Sequence, residues 1–329
     1  MDRIETQNFS LVLPDKEISD YRARYGNRKV AARYIGLKNV PSTLNGEWQH
    51  GWMGPERNIN PEFVTGSTGK TSLLKEKQQF LVARMDQVEY LNEEGYSKVK
   101  AIGLPFIYTN PPSVQRIPNS LLIMPIHSLN DTKEDWLTES ANYATYLDSI
   151  RSKFDFVCAC VHPSCIKKGN WVKDLEQLNI TIIEGADKCD ENALNRMATL
   201  FKQFEFTTTN DFGSHVAYAS YYGSKVSVSG PKPKWYREEY ESTMLYSNVP
   251  ELLDILEDWQ YTNKLASLYP QFLCEPWEAT LQESWSRWQL GEQHKLSAKE
   301  LKSVLGWTTK DLIESRVMYY IRTVANKLR

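Results

Sequence analysis

Residues 154–164 read FDFVCACVHPS, an apolar run of strand length that stops abruptly on an imidazole, a proline and a hydroxyl. Phe156, Cys158 and Cys160 alternate with Val157, Ala159 and Val161, with no charge among them. A strand apolar on both sides is what a parallel sheet covered by helices on both faces requires. The same rhythm continues outward. Upstream lie SLLIMPIHSL (120–129), a fresh buried strand, and a polar helix candidate at 135–151. Downstream follow a helix at 170–178, the strand ITIIEG (180–185), a helix at 191–204, the strand EFTTT (205–209), a helix at 215–222 and the strand KVSVSG (225–230). Strands alternating with helices predict an open, parallel, doubly wound sheet.

Nearer the N-terminus, candidate strands fall at 30–34, 44–49, 80–84 and 98–102. Between the last two, DQVEYLNEE (86–94) offers Val88 and Leu91 as a helix face, closed by Gly95, which gives a βαβ unit. TNPPSVQRIPN (109–119) holds three prolines and little to bury, and reads as the linker. Beyond residue 250 the pattern is helical. The expected class is therefore α/β, with two Rossmann-like domains facing a cleft and a helical C-terminal segment. Its parts are 1–112, 113–250 and 251–329, the last packing back across both domains. A chain of 329 residues is long enough for two cores.

Composition narrows the function classes. A formal net charge of -2 argues against general nucleic-acid binding. Five cysteines in so long a chain make no disulfide framework, and the C-x-C-x4-C spacing of Cys158, Cys160 and Cys165 lacks the paired knuckles of a zinc site. They read as small buried residues. MDRIETQNFS lacks the apolar core of a signal peptide, and no run approaches the roughly 18 apolar residues of a membrane span, so the expectation is a cytoplasmic protein.

In open α/β sheets ligands bind outside the carboxyl ends of the strands. Four of the five histidines stand at such ends or in the helices that follow: His50 in GEWQHGW, His127 in LLIMPIHS, His162 in VCACVHPS and His215 in TTTNDFGSH. Thr207, Thr208, Thr209, Asn210, Gly213 and Ser214 add hydroxyls, an amide and a glycine just before a helix, the setting in which free N–H groups hold a phosphate. Plain capping by Ser214 or Asp211 is the alternative. His162, Pro163 and Ser164 form a similar turn, whose imidazole can donate to a phosphate while the proline fixes the backbone. Glu184 and Gly185 offer a carboxylate and a turn for a ribose or base, or merely a cap for the next helix. The phosphate-loop lookalike at residues 66–71 fails, because GxxxxGK[ST] needs glycine where Val64 stands and no buried strand precedes it, although its Lys70 can still face the cleft.

With HP after one strand and TTTNDFGSHVAYASYYGSKVSVSGP after a later one, residues 162–231 resemble the donor half of GT-B glycosyltransferases of bacterial surface-polysaccharide assembly. They are particularly similar to sialyltransferases and to nonulosonate or Kdo transferases. GEWQHGW and GYSKVKAIGLPFIYT resemble acceptor-domain segments of such proteins. The resemblance implies that His162-Pro163 and a hydroxyl pair, Thr208-Thr209 or Ser214 nearby, hold the phosphate of a CMP-linked donor. It implies a nucleotide-sugar donor, a glycan or lipid-linked acceptor and no metal. The acidic D/E-D/E-G motif of some sialyltransferases has only a letter match in Glu93-Glu94-Gly95, which ends a helix. Arg84, Asp86 and Gly103-Leu104-Pro105 read as structural.

Glycosyl transfer needs a stabilised leaving phosphate and, in inverting enzymes, a base for the acceptor hydroxyl. The first duty falls to His162, Thr208, Thr209 and Ser214, with His127, Asn210, Gly213 and His215 beside them. The second falls to His50, and Trp48 and Trp52 are candidates for stacking on acceptor sugars, or for packing a core. Two rival readings stay open: a nucleotide-sugar epimerase or hydrolase of the same fold, and a non-catalytic nucleotide- or carbohydrate-binding protein. The last helix, KDLIESRVMYYIRTVANKLR, carries five basic and two acidic residues around Leu312, Val317, Tyr320 and Ile321. It is expected to pack on the protein, with contact to the inner-membrane surface as the alternative.

Overall fold

The computed structural model describes residues 2–5, 10–19, 21–41, 44–52, 54, 61, 75–127, 136–234, 236–241, 243–248, 250–251, 253–254 and 264–313. Residues 66–71 with Lys70, and Val317, Tyr320 and Ile321 of the last helix, lie outside them.

Five strands, β6 (Ile117–Ile123), β7 (Phe156–Val161), β8 (Thr181–Glu184), β9 (Phe204–Thr209) and β10 (Lys225–Val228), form one parallel sheet in the order β10-β9-β6-β7-β8. The chain starts in the middle, builds outward through β7 and β8, then crosses back to lay β9 on the other side of β6. That reversal makes the β6–β9 boundary the switch point, where doubly wound sheets open a crevice. The period-2 pattern dictates the two faces. Phe156, Cys158 and Cys160 of β7 enter one apolar cluster, while Ala159 and Val161 enter the other. On the second face pack helices α3 (Leu137–Arg151) and α5 (Val172–Gln177), through Tyr143, Leu147, Ile150 and Leu175. On the first pack α6 (Ala193–Gln203) and α7 (Ser214–Tyr221).

A smaller parallel sheet, β3 (Glu47–Trp48), β4 (Phe80–Val82) and β5 (Val99–Ala101), stands in that order. Helix α2 (Met85–Glu93) joins β4 to β5, and its Val88 and Leu91 pack with Phe80, Val82 and Tyr96. Gly95, at φ +88, turns the chain out of that helix, as its sequence position suggested. The other face, with Trp48, Leu81, Ile102 and Phe106, belongs to the same apolar cluster as α6 and α7. Phe106 lies flat on Tyr218 of α7, ring centroids 3.8 Å apart at 10°. The two sheets thus contribute to one continuous apolar cluster.

One expectation is corrected. Residues 30–34 are not a strand but part of helix α1 (Asn27–Ile35), set between Gly26 and Gly36, both left-handed. Val30, Ala31 and Ala32 are buried in it. A five-residue apolar run does not by itself separate a strand from a buried helix face. The N-terminal residues form an antiparallel hairpin of β1 (Asp2–Glu5) and β2 (Ser10–Leu13). Its second strand is tied down by the Gln203 side chain, which accepts from Val12 N at 2.9 Å and donates to Val12 O at 2.9 Å.

Past residue 250 the described chain is short helical turns joined by loops, among them α8 (Glu283–Gln289) and α9 (Ala298–Val304). Leu104 N donates to Leu290 O at 2.9 Å, which seats the end of α8 against the three-stranded sheet. Gly291, at φ +73, comes so close that a Cβ there would meet Ala83 O at 2.0 Å. Of residues 109–119, read as the linker, 109–116 carry neither helix nor strand, while 117–119 already form the start of β6. No helix among the described residues is long and apolar enough to cross a membrane.

Candidate functional site

Three imidazoles converge on the carboxyl edge of the five-stranded sheet, around its switch point. His127 follows β6, His162 follows β7, and His215 lies in the first turn of α7 after β9. The His127 and His162 rings stack, with centroids 4.4 Å apart at 23°. His162 caps helix α4 (Pro163–Lys168): Ser164 N donates to Nδ1 at 3.1 Å, and the Ser164 hydroxyl sits 2.6 Å from the same atom. Pro163 occupies the first helical position, where its missing N–H is no loss. With Nδ1 accepting, the ring proton sits on Nε2. That Nε2 is buried and has no hydrogen-bond partner among the described residues. Burial, then the neighbouring His127 and Lys188, push the His162 pKa down to about 2, so the ring is neutral at pH 7.

His215 is fixed by a different contact. The Thr209 hydroxyl donates to Asp211 O at 3.0 Å, leaving its oxygen to accept from His215 Nε2 at 2.8 Å. Burial first, then His127, push the His215 pKa down to about 3. Helix α7 begins on Gly213, which has no side chain to cap it. A Cβ there would come within 2.9 Å of the His215 ring, so the imidazole lies folded over the helix start.

Most of the hydroxyls read as phosphate ligands are spent inside the protein, and this corrects the sequence reading. Thr207, Thr208 and Thr209 are the buried end of β9. Thr207 Oγ1 bonds Ser224 Oγ at 2.8 Å, and Thr208 Oγ1 bonds Ser227 and Ser229 at 2.9 Å each. Asn210 accepts from Ile126 N at 2.9 Å and donates to Pro231 O at 3.2 Å, which ties the β6, β9 and β10 loops together. The cause is register: Thr208 pairs with Ser227 across β9–β10, so hydroxyl meets hydroxyl. Glu184 is ion-paired with Lys16 of the N-terminal segment. Gly185 packs against Val161 O, at 3.3 Å from a built Cβ, and against the backbone of His162. It shapes the turn beside the imidazoles.

Ser214 reaches the other way, to the loop after β3. Its Oγ accepts from Trp52 N at 3.0 Å and donates to Trp52 O at 3.3 Å. Tyr218 OH donates to His50 O at 3.1 Å. The structure therefore places His50 on the same side of the shared core as α7. Its ring stacks with Tyr25 at 5.9 Å and 18°, and burial, then Arg24, pushes its pKa down to about 4 against the pull of Glu47. Tyr25 and Tyr218 escaped the sequence reading. Tyr218 had a signal, standing one helical turn beyond Ser214; Tyr25 had none, lying in an aperiodic turn at φ +61.

Trp48 and Trp52 are corrected as sugar platforms. Trp48 is fully buried and donates to Gly103 O at 2.9 Å. Trp52 is nearly so, donating to Gln289 Oε1 at 2.8 Å. Neither offers a ring face to a ligand. Cys158, Cys160 and Cys165 are buried free thiols, as expected, and burial pushes Cys158 and Cys160 up to about 12. Among the described residues no group of three or more His, Cys, Asp or Glu is placed to hold a metal ion.

No protein-family model matches the chain, and no curated protein is significantly similar to it. A solved structure found by shape is a mutant of S. aureus TarM in complex with fondaparinux, alpha-GlcNAc-glycerol and UDP. It is 14% identical over 82% of this chain and 49% of its own, so the chain spans about half of its length. At a TM-score of 0.31 the likeness decides neither fold nor function.

Proposed function

We propose that this chain is a glycosyltransferase moving a sugar from a nucleotide-activated donor, CMP-linked in the leading version, to a glycan or lipid-linked acceptor of bacterial surface-polysaccharide assembly. The observation that carries the reading is the buried Nε2–H of His162 at the switch point, without a partner among the described residues. A buried donor left unmatched costs about 1–3 kcal/mol, and a phosphate oxygen would satisfy it. A neutral N–H suits this duty, because it donates without first taking up a proton. His127, Ser164, Gly185, Gly213 and His215 line the same edge, and Lys188 lies close enough to act on the His162 ring.

In the reaction, the bond between the anomeric carbon and the donor phosphate breaks while the acceptor oxygen bonds to that carbon. Negative charge gathers on the departing phosphate, where the His162 N–H and the start of α7 oppose it. In an inverting course the acceptor proton passes to His50, whose depressed pKa keeps its lone pair available at neutral pH and makes it a weak base. A retaining course gives His50 no such duty. The proposal includes no metal and a cytoplasmic location, with the C-terminal helix packing on the protein and a peripheral contact at the inner membrane as the alternative.

Thermal shifts with CMP, CDP, UDP and GDP test the reading. A nucleotide at about 100 times its Kd stabilises a protein by about 2.7 kcal/mol, and the same shift should persist in EDTA. No shift with any of the four would sink the proposal. Turnover of a nucleotide sugar without acceptor would replace it with a hydrolase or epimerase, and binding without turnover would leave a binding protein.

A further inference from the structure

With Trp48 and Trp52 buried, another tryptophan stands out beside the three-stranded sheet. Trp288 of α8 is 48% exposed, although Trp48, Trp136, Trp171 and Trp307 are all inside. Its position is fixed from beneath. The Arg84 guanidinium lies 4.5 Å from the ring centroid, and Arg84 itself is only 1% exposed. Arg84 Nε and Nη2 donate to the two carboxylate oxygens of Asp86, at 3.0 Å each. Arg84 Nη1 donates to Gln289 O at 3.2 Å and to Gln289 Oε1 at 2.9 Å. A planar cation held this way cannot slide, so the indole stacked on it is held too.

The place is as telling as the geometry. Arg84 stands at the carboxyl end of β4, beside β3, whose carboxyl end leads to His50. Gln289 Oε1 also accepts from Trp52 Nε1, so one amide joins the Arg84–Trp288 stack to the loop that carries His50. Asp86 remains partly exposed, and each of its oxygens, bonded once by Arg84, retains capacity to accept from a hydroxyl. His294 lies close enough to feel the Asp86 charge.

We infer that Trp288 is a platform for the apolar face of a neutral sugar ring, whose hydroxyls donate to Asp86. A rigid aromatic surface beside a fixed carboxylate suits a polyol with one apolar face, and the carboxylate disfavours an anion. Naming this sugar the acceptor rests on the glycosyl-transfer reading; binding of the sugar does not.

The test is saturation-transfer NMR on the full chain with lactose, maltose and N,N'-diacetylchitobiose at millimolar concentration. At least one should receive transfer on its ring protons. Trp288→Ala should reduce that signal about fivefold, the scale of one lost aromatic contact, while Trp288→Phe keeps about half of it. Trp277→Ala, altering an exposed tryptophan set under Lys153, should change nothing. Trp288→Leu keeps Arg84 covered without an aromatic face, and serves if the alanine variant does not fold. Transfer to none of the three sugars, or equal transfer in Trp288→Leu and the parent chain, overturns the platform. Nucleotide shifts on the same samples separate the two proposals: sugar binding without a nucleotide shift sinks only the donor reading, and the converse sinks only the platform.

Discussion

The two parallel sheets end their strands in opposite ways. On the three-stranded sheet the strongest polar group, the Arg84 guanidinium, is buried with its donors turned to Asp86 and Gln289, and its work is structural. On the five-stranded sheet His162 and His215 are each held through a ring nitrogen, and the Nε2–H of His162 has no partner among the described residues. Folding tolerates a buried, unsatisfied donor only against a cost, whereas a satisfied one locks a core. The contrast teaches that burial of a polar residue at a strand end says little. What distinguishes a strut from a site is whether hydrogen-bonding capacity remains after the fold has formed.

Breaking the strut should have the largest effect. Arg84→Met leaves Asp86 and Gln289 facing a thioether, and is expected to cost about 3–5 kcal/mol of stability in urea denaturation. A loss under 1 kcal/mol would mean that the pair is not the anchor described.

The imidazole edge should reveal itself through pH. The folded pKa values of His50, His162 and His215 all lie below the ordinary 6.5. Between each folded value and 6.5 the unfolded chain therefore binds more protons than the folded one, and stability falls as pH drops below 6.5. Each imidazole adds at most about 1.4 kcal/mol per pH unit. The depressed carboxylates Glu17, Glu205, Glu292 and Glu300 act in the same direction but only near and below their ordinary value of 4.5, while Asp211, whose carboxyl burial pushes up, acts in the opposite direction above its ordinary 3.8, so the fall between pH 6.5 and 5 is the histidine contribution less that of Asp211. His162→Gln should flatten the curve in that window; an unchanged slope would mean that this ring is protonated in the folded protein.

A smaller effect sharpens the boundary between strut and site. Thr208→Val removes a hydroxyl bonded to Ser227 and Ser229, and should cost about 1–2 kcal/mol while leaving nucleotide binding as it was. Loss of binding with little loss of stability would return Thr208 to the site.

Much of this was legible in the sequence for a physical reason. A run such as FDFVCACV has strand length and ends on a turn signal, which favours a buried parallel strand, and a strand's end is visible where polarity returns, so the positions of His50, His127, His162 and His215 could be read directly. Which polar atoms remain free could not. Thr208 looks like a ligand until the β9–β10 register sets it against Ser227. Trp48 looks like a platform until its indole N–H is found on Gly103 O, 55 residues away. Helix α1 was misread because its buried run is too short to show a helical period. Trp288 had no local signal, since what makes it notable is Arg84, brought beneath it from the distant β4 edge.

The most direct measurement is the state of the His162 ring, followed by 15N-detected imidazole NMR at pH 7 before and after addition of CMP, with UDP in parallel. The expected result is a neutral ring carrying its proton on Nε2, whose N–H resonance moves when a nucleotide binds while Nδ1 stays unchanged. A ring protonated on both nitrogens, or an Nε2–H that stays still at saturating concentrations of both nucleotides, would contradict it.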